Sequence, residues 1–211
     1  MKFISHIKVA LIFSPVLLVA ESTAAFPAHA TSQQIKAYAQ QIADHFCNIR
    51  TMTGDFVQFG PRGETAEGAF YMERPGKIRF IYKNSPIRVI SDGQSIAINN
   101  RKLNTWSLYQ LQQTPMKLLL SDHIDVSEHN LLEFRQESSA ITFVIVDNSI
   151  GKLKIRMIFD PKTFKLRQWT IIDQQNLETT IQLINTRTGV AFANGMFDID
   201  YQRIGMKRKN R

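Results

Sequence analysis

From Gly54 onward, apolar residues recur at every second position in short runs. These are DFVQFG, AEGAFYMER, KIRFIYK, PIRVISD, QSIAINN and LNTWSLYQ, then NLLEFRQ, AITFVIVD, GKLKIRMIFD, KLRQWTIID, LETTIQLIN and a closing MFDIDY. A period of two is the signature of strands with one buried face. The separators Pro-Arg-Gly, Arg-Pro-Gly, Asn-Ser-Pro, Asp-Gly and Asn-Asn-Arg are turn chemistry, and Asp92-Gly93 is the strongest hairpin signal among them. A spacing of about 8–12 residues between strands implies consecutive antiparallel hairpins. The runs therefore predict one long antiparallel sheet. With about ten or more strands such a sheet curls.

Two segments break the pattern. TSQQIKAYAQQIADHFCNIRTM carries Ile35, Tyr38, Ala39, Ile42, Phe46 and Ile49 at helical spacing, with Thr31 or Ser32 as N-cap and Gly54 past its end. It predicts an amphipathic helix of about five turns against the sheet. In QQTPMKLLLSDHID, Pro115 suits the first turn of a short helix with Met116, Leu119 and Leu120 on its apolar side. The fold class is α+β: an incomplete, half-open antiparallel β-barrel covered by an N-terminal amphipathic helix and short helices.

In ERPGKIRFIY a Pro-Gly turn launches a strand with Ile78, Phe80 and Tyr82 on one face and Lys77, Arg79, Ile81 and Lys83 on the other. The oily face either meets a packed core or lines a space meant for something else; the pattern alone leaves both open.

The N-terminus reads as an export signal. MKFISHIK is basic, Val9 to Ala20 is apolar, and small residues lead to Ala28-His29-Ala30. The apolar run is shorter than the roughly 20 residues a bilayer needs, and Pro15 interrupts it. Cleavage is expected after Ala30, with Ala24 and Ala25 as alternatives, placing the mature chain outside the cytoplasm. The expected division is 1–30 signal peptide, 31–203 a single domain and 204–211 a basic tail. The lone Cys47 cannot form an internal disulfide and reads as a small buried hydrophobe. The formal charge is +8; Lys2, Lys8 and Glu21 leave with the signal, so the mature chain keeps +7. For an exported chain this favours an anionic membrane face or an acidic partner over nucleic acid.

Catalytic machinery is scarce. No Ser sits in a G-x-S-x-G setting and no glycine-rich loop cradles phosphate. His45 beside Asp44 reads as a rim histidine, and Glu64 and Glu67 fall in a turn. His123, Asp125 and His129 lie close together but match no strong metal spacing. What the chain does hold is oil: fourteen phenylalanines with Trp106, Trp169 and many Ile and Leu. A filled core explains that by itself.

The order of segments resembles the LolA family of periplasmic lipoprotein carriers. The resemblance rests on Gly54-Asp55-Phe56-x-Gln58, on GAFYMERPGKIRFIY, SDGQSI and TPMKLLL, on LRQWTIIDQQNLETTIQLIN, and on the closing NGMFDID. It implies a helix-lidded open barrel enclosing an apolar cavity, with no catalysis and no cofactor. Its expected partners are acylated lipoproteins, an inner-membrane ABC exporter, and an outer-membrane acceptor or the outer membrane itself, with the protein acting as a monomer. The resemblance maps the lid latch onto Arg74, the aromatic strand onto Ile78 and Phe80, and the lid onto Met116, Leu119 and Leu120. Ile90, Ile98 and Trp106 complete the expected cavity wall. Lys117 puts a charge into the lid, and the end FDIDYQRIGMKRKNR lacks the family's Pro-Gly ending. A lipid-binding sensor, a glycolipid carrier of the same fold and a periplasmic lipid hydrolase remain as other readings.

Overall fold

The computed structural model describes residues 31–127, 130–147 and 153–205. The expected signal peptide, residues 206–211 of the tail and His129 lie outside them.

Helix α1 spans Ser32–Cys47. Thr31 is its N-cap: the hydroxyl accepts from the Gln34 amide while Gln34 Oε1 accepts from the Thr31 N–H, so each end satisfies the other's orphan donor. The helix stops short of the expected five turns because Asn48 caps it, its N–H bonding back to Asp44 and Phe46, and β1 already begins at Thr51. Its buried face is Ala39, Ile42, Ala43, Phe46 and Cys47.

Eleven strands follow: β1 (Thr51–Phe59), β2 (Thr65–Glu73), β3 (Lys77–Tyr82), β4 (Ile87–Asp92), β5 (Ser95–Asn100), β6 (Thr105–Gln110), β7 (Leu131–Gln136), β8 (Ile141–Asp147), β9 (Leu153–Phe159), β10 (Leu166–Ile172) and β11 (Glu178–Thr188). Between β6 and β7 come a 3-10 turn (Leu111–Gln113) and helix α2 (Met116–Leu120). All strands belong to one antiparallel sheet in the order β6-β5-β4-β3-β2-β1-β11-β10-β9-β8-β7. The first six strands form one meander and the last five another, and the first strand pairs with the last. The two edges, β6 and β7, do not pair, so the barrel stays open.

The curl is measurable. Four strand spacings of about 4.8 Å separate β3 from β10, roughly 19 Å on a flat sheet. Yet the rings of Phe80 on β3 and Trp169 on β10 lie 6.3 Å apart. Gly68 lets β2 bend inward: a Cβ there would stand 2.1 Å from the Ile81 carbonyl oxygen, so only glycine allows the approach. At β11 the register slips opposite Gly54, a bulge that adds local twist.

The concave face carries Met52, Phe56, Phe70, Met72, Ile78 and Phe80 from one meander, all buried. Phe143, Ile155, Met157, Phe159, Trp169 and Ile181 face them from the other. α1 and α2 lie over this face, with Phe46 edge-on to Phe159 at 5.9 Å.

The expected last strand, MFDIDY, is not one. Residues 189–205 run as turns and irregular chain across the convex face. Arg79 Nη1 donates to the Met196 carbonyl at 2.8 Å, Phe192 packs edge-on to Tyr71, and Tyr201 Oη donates to Asp92 at 2.9 Å. Ile199, Tyr201 and Ile204 form a second apolar cluster with Ile90, Ala97 and Trp106. The side-chain–backbone bond from Arg79 and this packing take the place of a twelfth ladder.

Candidate functional site

The site is the concave face and the segment that seals it. The β2–β3 turn carries Arg74 beneath α2. Its Nη1 donates to the carbonyl oxygens of Leu119 at 2.6 Å and Ser121 at 2.8 Å. Two bonds from one nitrogen tie the end of α2, where helix carbonyls lack intrahelical partners. A third tie is the Gly76 N–H to the Leu120 carbonyl at 2.9 Å. Arg50 adds a fourth: Nη1 pairs with Asp122 at 2.7 Å and Nη2 donates to the Arg74 carbonyl at 3.2 Å. Past the helix, Gln40 of α1 donates to the Ile124 carbonyl at 3.0 Å and accepts from the Val126 N–H at 3.2 Å.

Arg74 is only 3 % exposed. Its guanidinium carbon stands 4.2 Å from the centroid of the Phe46 ring, a cation–π contact. Nε and Nη2 are buried without a hydrogen-bond partner. Burial, opposed by Cys47 and Asp122, brings its pKa from 12.5 down to about 10. Arg74 is therefore charged at neutral pH, and the folded chain bears the hydration lost on burying it. The drop corresponds to ~3 kcal/mol. Since the folded value lies below the free one, that penalty is present in full below about pH 10 and fades only above it.

The structure brings Ile78, Phe80, Leu119 and Leu120 into one buried cluster, with Met116 packed against it. Phe80 touches Phe56 at 5.1 Å and Phe70 at 6.5 Å between ring centroids. Ile98 is on the same face, in the row Phe80, Val89, Ile98, Ser107, but is 37 % exposed. There the sealed centre runs out into a half-open apolar flank with Val89, Ile87 and Tyr109.

Ile90 and Trp106 are not part of this wall. Ile90 pairs with Arg79, and Trp106 with Asn99 in the row of Arg88 and Ile81. Side chains alternate across a strand, so both point to the convex face, against Ile199, Tyr201 and Ile204. The sequence misleads because the C-terminal segment buries that face too: Ile90 sits there between Arg88 and Asp92, and β6 turns its Trp106 and Leu108 to it while Thr105 and Ser107 take the concave side.

The other residues considered lie elsewhere. His45 is exposed, with its ring 5.9 Å from that of Phe164. Glu64 accepts from the Arg62 N–H at 2.8 Å and Glu67 pairs with Lys83 at 3.0 Å. His123 stands 3.7 Å from Asp44, and Asp125 closes a turn onto Ser127. Among the described residues no group of three metal-ligating side chains forms. Sequence reasoning missed Arg50, Asp122 and Gln40. The contacts of Arg50 with Asp122 and of Gln40 with Ile124 and Val126 cross more than 70 residues of chain, and no local pattern announces them.

A curled open sheet whose apolar concave face is covered by α1 and a short tethered helix has the architecture of a carrier-type fold. The model of the family described as outer membrane lipoprotein carrier protein LolA matches residues 47–200, and the chain belongs to that family, whose proteins are periplasmic. No curated protein sequence matches the chain. Among crystal structures, the complex of Pseudomonas aeruginosa MucA and MucB is similar at 13 % identity and TM-score 0.46, covering 78 % of this chain and 60 % of that one. The chain thus spans less than two thirds of that relative. A lipoprotein-sorting protein domain from Vibrio parahaemolyticus is similar at 8 % identity and TM-score 0.47, covering 77 % and 97 %. A LolA superfamily protein from Nitrosomonas europaea is similar at 9 % identity and TM-score 0.41, covering 82 % and 100 %.

Proposed function

We propose that this protein is exported to the periplasm by cleavage after Ala30 and shuttles lipoproteins, sheltering their acyl chains against the concave face. An ATP-driven inner-membrane exporter loads it, and it unloads at the outer membrane, to an acceptor or to the membrane itself. Each buried CH₂ is worth about 0.8 kcal/mol, so three acyl chains of roughly 16 carbons cost ~35 kcal/mol in water. Non-covalent affinity saturates near −18 to −21 kcal/mol. A carrier therefore does not pull such chains from a bilayer unaided; it is loaded with energy and only shelters.

An empty shelter must not stay open, because a large exposed apolar surface aggregates. The observation that carries the proposal is Arg74: a buried cation tying the α2 carbonyls directly over Phe46, with two of its nitrogens unpaired. Its bonds hold the lid shut while its lost hydration favours opening, so the closure is strong enough to seal and weak enough to yield. Ile78, Phe80, Met116, Leu119 and Leu120 are the residues that trade contacts with one another for contacts with cargo, and Ile98 marks the half-open rim.

Native mass spectrometry of the protein purified from its own periplasm tests this. A bound triacylated polypeptide is the expected result. A glycolipid would assign the same hollow to another lipid, and a hollow with no lipid in any preparation would refute the proposal.

A further inference from the structure

The β5–β6 hairpin turns through Arg101, Lys102, Leu103 and Asn104. The turn is defined rather than loose. Asn100 Oδ1 accepts from the N–H groups of Lys102 at 3.1 Å and Leu103 at 3.2 Å, and Asn104 takes the left-handed φ of 50° that asparagine tolerates. This geometry holds Leu103 outward, 66 % exposed, more than any other large apolar side chain among the described residues. A single exposed leucine is ordinary; its surroundings are not.

Cations gather about this tip. The Arg101 N–H donates to the Pro86 carbonyl at 3.1 Å, tying the turn to the start of β4 and to Arg88. Arg203 Nη2 donates to Asn104 Oδ1 at 3.4 Å. Arg88, Arg101 and Lys102 form no ion pair among the described residues. Burial and the guanidiniums of Arg101 and Arg79 push the Arg88 pKa down, the mark of like charges crowded together. Of the carboxylates on the neighbouring elements, Glu67 pairs with Lys83 and Asp200 accepts from the Arg203 backbone N–H.

We infer that this hairpin docks the protein on an anionic lipid bilayer, with Leu103 entering the interface and Arg88, Arg101, Lys102 and Arg203 facing the headgroups. A protruding four-residue turn offers too little area for a stable protein interface. A bilayer accepts one apolar side chain from a convex tip and collects cations arrayed on every side of it. The docking goes beyond the carrier reading and holds whatever occupies the concave face.

The test is co-sedimentation of the mature chain with vesicles of phosphatidylcholine containing phosphatidylglycerol, against vesicles of phosphatidylcholine alone. Binding is expected only to the anionic vesicles and is expected to fall as salt is raised. The double variant Arg101→Gln, Lys102→Gln should bind about tenfold more weakly or worse, and Leu103→Ser should also weaken binding. In Leu103→Trp, emission beyond that of Trp106 and Trp169 should shift to the blue on anionic vesicles. All these positions are exposed, so thermal unfolding of each variant should match the parent. A chain ending at Gly205 should keep its dependence on Leu103. The inference is overturned if anionic vesicles are not bound, if the hairpin variants bind like the parent, or if binding vanishes on removing the tail alone. Capture by poly-glutamate without vesicle binding would overturn it in favour of an acidic protein partner.

Discussion

Truncating Phe80 to alanine is expected to lower stability by about 3–5 kcal/mol, the range for a fully buried phenylalanine. For a domain of this size that is a Tm lower by roughly 10 °C. The ring is enclosed by Phe56, Phe70 and Trp169, and it joins the two meanders across the mouth of the curl. The hole left by Phe80→Ala is a hole in the proposed cargo space. Saturating amounts of a fatty-acyl probe should therefore restore part of the lost stability, and more than they add to the parent. A merely structural phenylalanine would give the same loss without that excess recovery. Calorimetry with and without probe reads both. Phe80→Glu is no substitute, because an unpaired carboxylate at this buried position should prevent folding outright.

Arg74→Leu is expected to change function far more than stability. The substitution gives up two charge-assisted hydrogen bonds, each worth about 1.5–3 kcal/mol, and recovers the ~3 kcal/mol of lost hydration. The balance leaves folding within about 3 kcal/mol of the parent, a Tm within roughly 12 °C. The bonds lost all act on the lid, however, and the carbonyls of Leu119 and Ser121 lose their shared donor. A larger fraction of molecules should stand open, raising apparent affinity for an apolar probe by about tenfold and slowing cargo transfer. Unchanged probe affinity would remove the latch from the mechanism. Arg74→Lys separates charge from geometry: it keeps the cation but not the planar fork, so it should loosen the lid with little relief of the buried charge.

Much of this was legible in the residues. Period-two runs place all eleven strands, because the buried faces are apolar and most flanks carry Gly, Pro, Asn or Asp. Helix α2 is legible from Pro115 followed by Met116, Leu119 and Leu120. The MFDIDY segment was not. Its alternation is that of a strand, but the chain leaves β11 at Gly189 and lies across the convex face, where Ile199 meets Ile90 and Ala97. That one packing event also misdirects the reading of Ile90 and Trp106, since the C-terminal segment gives the convex face of β4 and β6 an apolar cover that local sequence does not announce. The tethers from Arg50 to Asp122 and from Gln40 to Ile124 were invisible for another reason. They join α1 and the residue before β1 to a loop more than 70 residues away, and each uses an ordinary polar side chain.

Photo-crosslinking with a triacylated lipopeptide carrying a photoreactive group at its acyl terminus tests the central claim most directly. Adducts on Ile78, Phe80, Met116, Leu119 or Leu120 are the result predicted, more abundant in Arg74→Leu than in the parent. Adducts confined to Ile90, Trp106 and Ile199, or none at all in either protein, would contradict it.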